Sequence, residues 1–486
     1  MVAKTKIIGC ILACAVLAAA AIGARPGQAD NRGGKTASRR SQALRRQTSS
    51  GPIDPGVRGG RAGAGGFVPN LYPFMSFLEP SVLAQFEQVA SVTGGPVGGN
   101  GLGPRFNSNS CYSCHSQPSP GGSSPPTNPL FSVYQLNGAQ NTMPAFEAQN
   151  GPVLVPRFPY QPDLQTPDGH VHQLFTVTGR SDAGTCTISQ PDFATAAAQN
   201  NLALRQPIPT FGDGYIEIVQ NSDIIANMNA NLPLKQSLGI AGHPNMNADT
   251  SISRFGWKAQ WRALLPASAA EENVEMGISN ELLPSENDQT PGCVLNPVPE
   301  DSTNFAFYAM SPTPQAFSQA LDREAIFMRD LTVPKPGACS AAASSCANGL
   351  TQFNTIGCSL CHTNSLPEPN GSIWQIGKTS SFGPGIDNIF LYSDLLVHHM
   401  GPCLADNIRQ GTAAGDEWRT PPLWNVGQRY FFLHDGRTSD IVQAVQDHFC
   451  AGNSTYQASE ANAVVNAFNA LSVSNQQDLI NFLRSL

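Results

Sequence analysis

The sequence predicts a mostly α fold with extensive irregular loops, organised as two comparable modules. Three features carry that expectation. Charged residues make up only 13% of the 486, against about a quarter in an ordinary soluble domain. Gly (45) and Pro (39) are abundant, which predicts short elements joined by shaped loops. Helix-spaced apolar positions recur, extended apolar runs of strand type are few, and one five-residue pattern occurs twice. The composition excludes a coiled coil, which draws about half its residues from Ala, Glu, Lys, Leu and Arg. At 41% hydrophobic, the body is not a disordered chain either.

Taken in order, residues 1–29 read as an export signal. Lys4 and Lys6 precede a small-residue apolar run from Ile7 to Ile22, and small residues at 21–24 and 27–29 offer cleavage sites. The run is shorter than the ~20 residues a membrane span needs. No later stretch is long and apolar enough, so a mature form without a transmembrane segment is expected, periplasmic or otherwise exported. Residues 30–66 are rich in Arg, Gly and Ser and read as a disordered basic arm. The modules are placed at 67–300 and 301–486. Helices are expected over 77–92, 315–330, 437–450 and 460–485. In the last, Leu479, Phe482 and Leu483 give the i, i+3, i+4 stripe of a helix packed on a core. Pro- and Gly-rich spacers interrupt at 116–130 and 284–301.

Charge is uneven. Residues 1–61 hold 11 Lys/Arg against 2 Asp/Glu, and the remainder holds 17 against 33. So acidic a body excludes a nucleic-acid binder and suits a basic protein partner. The sequence contains no P-loop, dinucleotide fingerprint or G-x-S-x-G elbow.

The repeated pattern is Cys111-Tyr112-Ser113-Cys114-His115 and Cys358-Ser359-Leu360-Cys361-His362. C-x-x-C-H is the attachment signature of c-type haem. Two thiols three positions apart on a helical turn each add to one vinyl group, and the adjacent His supplies an axial nitrogen to the iron. In a chain of this composition about 0.005 such runs arise by chance, and two at a level of about 10⁻⁵. One four-cysteine zinc site would leave both His residues unexplained. Two covalent haems c are therefore expected, one per cytochrome-c-like module. Beyond the signal, six cysteines remain: Cys186, Cys293, Cys339, Cys346, Cys403 and Cys450. In an exported protein they read as disulfides, of which fifteen pairings are possible.

The run Leu433-His434-Asp435-Gly436-Arg437, followed by Ile441-Val442-Gln443-Ala444-Val445, resembles the F-H-D-G…T-L-E-E-A-V segment of bacterial di-haem cytochrome c peroxidases. Further segments resemble the di-haem oxidoreductase family, putative peroxidases also labelled thiol oxidoreductases. They are Gly101-Leu102-Gly103-Pro104-Arg105-Phe106-Asn107, Arg254-Phe255-Gly256-Trp257-Lys258-Ala259, Glu275-Met276-Gly277-Ile278, residues 394–401 and residues 417–424. Together they cover most of 80–486.

The resemblance implies roles. The peroxidases place a Met ligand fourteen residues after the His of H-D-G, and here that position is His448, the expected distal ligand of the second haem. Met400 is its rival, and His398 and His399 are expected to line or cap the pocket. The peroxidase segment N-P-V-E-M-G corresponds to Asn273-Val274-Glu275-Met276-Gly277. Glu275 is thereby the expected distal acid/base at the first haem, because a carboxyl can move the proton that peroxide must shift between its oxygens. The alternatives are a solvated Glu275, a Met276 that closes the iron, and Glu217 as the acid. Trp257 is a candidate electron relay. Arg419 and Arg254 are candidate partners of haem propionates, since guanidinium pairs with carboxylates bidentately. Similar peroxidases also hold a calcium ion, for which no ligand cluster stands out here.

The function implied is an exported oxidoreductase of peroxidase type. Electrons come from a small exported cytochrome c or cupredoxin through the second haem, and hydrogen peroxide is reduced at the first. A non-catalytic di-haem electron carrier, and a relative that oxidises an organic or protein substrate, are the other two readings.

Overall fold

Helices carry the packing, and among the described residues strands occur only as antiparallel pairs of two or three residues. The computed structural model describes residues 51–68, 73–94, 101–301, 320–367 and 388–486. The signal and residues 30–50 of the arm lie outside them. Residues 51–486 form one unit. The mostly α, loop-rich character predicted from composition is what is observed.

The elements that position the site are few. Helix α1 spans Pro73–Glu87 and the helical turn α2 spans Cys111–Cys114. Helix α3, Leu264–Glu271, runs directly into a π-helical turn, Glu272–Met276. Helices α4 (Ala320–Asp330) and α5 (Ala343–Thr355) follow, and a 3₁₀ turn covers Cys358–Leu360. Strands β1 (Val397–His399) and β2 (Glu417–Arg419) pair antiparallel, with His399 opposite Glu417 and His398 opposite Trp418. Helices α6 (Ile441–Gln446), α7 (Asn462–Ala470) and α8 (Val473–Ser485) complete the set.

The expected 77–92 helix runs instead from Pro73 to Glu87, and two more differ from the sequence expectation because of local capping. The Asp440 carboxylate accepts from the amides of Val442 and Gln443, so α6 starts there rather than at 437. The expected 460–485 helix is two, because Ser472 caps the second by accepting from Asn475 N.

Three large apolar clusters, and a small one of Ala259, Val397 and Ala413, fill the interior of the described residues. One gathers Leu102, Phe106, Leu130, Phe175 and Met276 around the Cys186–Cys293 disulfide. Another joins α5 and α8 through Phe353, Phe468, Leu479 and Phe482. Gly349 lets these helices close, since a Cβ there would lie 2.0 Å from Asp478 O. The third draws on both halves of the chain and includes Phe86 stacked on Phe327 at 4.1 Å. The remaining disulfides are Cys339–Cys346 and Cys403–Cys450.

The expectation of a disordered arm as far as residue 66 does not hold for 51–66. Asp54 accepts from Arg484 Nε at 2.8 Å and from Ile441 N at 2.9 Å, and Arg58 N donates to Gly427 O at 2.7 Å. A fully buried guanidinium needs a carboxylate partner, and this segment supplies it.

Candidate functional site: two cavities on CxxCH turns

Each C-x-x-C-H turn opens into a large cavity. The first, about 1290 Å³ including its mouth, is lined by Cys111, Cys114 and His115 on one side and by Glu271, Glu272, Glu275 and Met276 on another. The second, about 1500 Å³, is lined by Cys358, Cys361, His362, His398, Met400 and His448.

The histidines are set up to ligate. His115 Nδ1 lies 3.0 Å from Gly122 O, His362 Nδ1 3.0 Å from Tyr392 O, and His448 Nδ1 2.7 Å from Ala444 O. A carbonyl at Nδ1 keeps the proton there and leaves Nε2 for a metal. Burial holds His115 down at about 4, and burial together with His448 does the same for His362, so both rings are neutral. Burial pushes the Cys114 and Cys358 thiols up to about 12.

Glu275 sits on the π-helical turn, an element that recurs at functional sites. Gly277, at φ +73°, ends the turn, and a Cβ there would meet Arg105 O at 2.3 Å. Burial, and then the neighbouring Glu271, raise the Glu275 carboxyl to about 8. Asn107 Nδ2 donates to Glu275 Oε2 at 3.0 Å. Glu271, Glu272 and Glu324 share this cavity, and sequence reading missed all three. The i, i+4 spacing of Glu271 and Glu275 was the available signal.

Trp257 and Gln206 line both cavities. The Trp257 indole donates to Gln206 O at 2.8 Å, and Gln206 N and Nε2 donate to His434 O and Leu433 O. His434 stacks on Trp418 at 3.7 Å, and burial depresses it to about 3. Arg419 lines the second cavity and donates from Nε to Gly256 O.

Of the other sequence candidates, Met400 lines the second cavity beside His448. His398 also lines it, held between Glu460 Oε2 at 2.7 Å and Asp394 Oδ2 at 2.9 Å. Burial opposes its charge, but the Cys361 sulfur and the Asp394 carboxylate outweigh burial and raise it well above the ordinary range. Glu217 and Arg254 line neither cavity. Glu217 pairs with Arg329 at 2.6 Å and accepts from Leu264 N at the start of α3. Arg254 donates to Val219 O and Asn221 Oδ1.

Buried guanidinium nitrogens without partners remain: Arg157 Nε at the first cavity, Arg419 Nη1 and Arg429 Nε at the second. Burial lowers all three guanidiniums to about 10. An unpaired buried donor is costly, and a group bearing carboxylates would satisfy these. Apolar walls, neutral imidazoles, paired thiols and orphaned guanidiniums together fit a haem in each cavity.

Two such cavities, with one indole lining both, fit a protein that holds two haem groups. The chain belongs to the family described as di-haem oxidoreductase, putative peroxidase, whose model matches residues 162–486. Membership makes it a haem oxidoreductase. The match contains the second C-x-x-C-H and Glu275, and the first motif precedes it. Among solved structures it is similar to a MauG-like protein associated with microbial copper homeostasis, at 14% identity, over 57% of this chain and 89% of that one, with a TM-score of 0.28. No curated protein matches. Among the described residues no helix is long and apolar enough to cross a membrane.

Proposed function

We propose that the protein is an exported di-haem c-type oxidoreductase that reduces hydrogen peroxide at the N-terminal centre with electrons relayed through the C-terminal one. The observation that carries this reading is the division of the cavities. Trp257 borders both, Glu275 borders only the first, and His448 borders only the second.

Bound haem supplies redox-active iron at each centre. Cys111 and Cys114, and Cys358 and Cys361, would hold the two groups through thioethers, and His115 and His362 would supply a nitrogen to each iron. His448, whose ring borders the second cavity, would serve as a further ligand there and would suit that centre to electron transfer. Arg157, Arg419 and Arg429 take the propionates. Trp257 offers the path between centres. At the first, the Glu275 carboxylate takes a proton from the near oxygen of peroxide and returns it to the departing oxygen. Two electrons and two further protons complete the conversion to two waters. The acidic body suits a basic exported donor such as a small cytochrome c or cupredoxin. Residues 67–300 and 301–486 are assigned to the two centres.

The second reading is an electron carrier without catalysis. It is favoured by Met276, whose buried side chain borders the first cavity and would close that iron. Ferric-state electron paramagnetic resonance separates the two. One high-spin and one low-spin signal support the enzyme, and two low-spin signals overturn it. His448→Ala should turn the second centre high-spin, and a centre that stays low-spin has another ligand.

A further inference from the structure

A second candidate metal centre lies outside both cavities, where the β1–β2 hairpin meets His243. The chain around His243 bridges to Val397, with amide–carbonyl distances of 3.0 and 2.9 Å, and His399 stands directly opposite Glu417. His398 and Trp418 of the hairpin line the second cavity, whereas His399 and Glu417 do not. His243 Nε2 lies 2.8 Å from Glu417 Oε1, and His399 Nε2 lies 3.1 Å from the same oxygen.

The other ring nitrogens are equally constrained. His243 Nδ1 is 3.1 Å from Pro244 O, and His399 Nδ1 is 3.0 Å from Asp416 Oδ2. All four ring nitrogens thus face oxygens that only accept, apart from a protonated carboxyl. A neutral imidazole carries one N–H and one bare nitrogen, so each ring leaves a lone pair aimed at an oxygen. Two states resolve that conflict: a pair of imidazoliums, or a cation held between the Nε2 atoms and the carboxylate. Nδ1 bound to a carboxylate or carbonyl is also how ligating histidines are ordinarily oriented. The side chains of His243 and His399 are 38% and 30% exposed, so an ion can enter from solvent, while Glu417 is 2% exposed and fixed.

We propose that His243, His399 and Glu417 form a binding site for a divalent transition-metal ion of the zinc type. With metal–nitrogen and metal–oxygen bonds of about 2.0–2.2 Å, neighbouring ligand atoms sit roughly 3–3.4 Å apart, close to the N···O separations here. The two nitrogens lie on opposite sides of the oxygen, too far apart to share an ion as they stand, so binding requires the more exposed ring, His243, to swing in. This centre is separate from the convergence of Cys361, Asp394 and His398, whose thiol belongs to the second C-x-x-C-H turn. It does not rest on the proposed peroxide chemistry.

Neighbouring carboxylates raise both imidazoles, chiefly Glu417 for His243 and Asp416 for His399. Protons therefore compete with the metal, and binding strengthens as pH rises. The test is calorimetric titration of chelator-treated, full-length holoprotein with zinc chloride at pH 8 and pH 6. One saturable site is expected at pH 8, weaker by roughly 10²-fold at pH 6 as two protons are displaced. His243→Ala and His399→Ala should each weaken it by at least about tenfold, and Glu417→Gln likewise. His170→Ala should leave it unchanged. Unaltered haem absorption in each variant reports an intact fold. No saturable uptake at pH 8, uptake indifferent to His243 and His399, or uptake lost only in His398→Ala would each overturn the proposal.

Discussion

Asn107 holds Glu275 in place from a fixed position. Its Nδ2 donates to Glu275 Oε2 at 3.0 Å while its own Oδ1 accepts from Leu174 N at 2.8 Å. The Asn107 and Ser108 amides also donate to Glu275 O, so side chain and backbone of one glutamate are tied to one segment. The carboxyl meets the first cavity with little freedom to rotate away.

A pH consequence follows from the sign of this contact. The Asn107 amide favours the charged form of Glu275 and works against burial and Glu271, which together raise the group to about 8. Proton abstraction from peroxide requires the carboxylate, so kcat/KM should rise through about pH 8. Asn107→Leu removes this side-chain donor and should move that rise to higher pH. A profile that stays put in the variant would separate Asn107 from the chemistry.

Glu275→Gln tests the group itself. Gln occupies the same space without a titratable proton, so peroxide turnover should fall by roughly 10²–10⁴-fold. Both haem spectra should be retained. Full turnover in the variant would transfer the acid/base role to another side chain of the cavity, with Glu271 first in line.

Much of this cavity was legible in the sequence because its chemistry is local. A C-x-x-C-H turn needs five consecutive residues, whereas Glu275 was reached only through the resemblance of its segment to that of the peroxidases. Glu324 was not legible, since its chain position says nothing about α4 crossing α3 to face the same space. The disulfides were open for the same reason, Cys186 and Cys293 being brought together across 107 residues. Composition misled at 51–66, where Gly and Arg content cannot reveal that one aspartate completes a buried guanidinium 430 residues away.

That contact carries a stability prediction. Burial opposes the charge of Asp54, but Arg484 and the amides of Ile441 and Gly56 outweigh it and hold the carboxyl below its usual value. A depressed carboxyl contributes stability above the unfolded value near 4, and the contribution is lost as pH falls through the folded one. Asp54→Ala should cost about 3–5 kcal/mol at neutral pH, because it leaves the buried Arg484 guanidinium with carbonyl acceptors at Gly427 and Arg429 but no carboxylate. Urea denaturation of both proteins measures it. A midpoint unchanged by the substitution would mean that 51–66 does not anchor α8.

Among the described residues Trp257 is the one aromatic side chain that borders both cavities, and its position there is over-determined. Its indole donates to Gln206 O, its carbonyl accepts from Arg419 N at 2.9 Å, and Arg419 Nε binds the preceding Gly256 carbonyl. Trp257→Phe keeps an apolar ring in the gap but removes the indole and its hydrogen bond. If the indole carries electrons between centres, stopped-flow reduction should show the second haem filling at the normal rate. Transfer to the first should then slow by about tenfold or more, a barrier rise of at least ~1.4 kcal/mol. The ferric spectra should be unaltered, because neither iron is touched. Equal transfer rates in the two proteins would reduce Trp257 to a packing residue and leave the electrons another route.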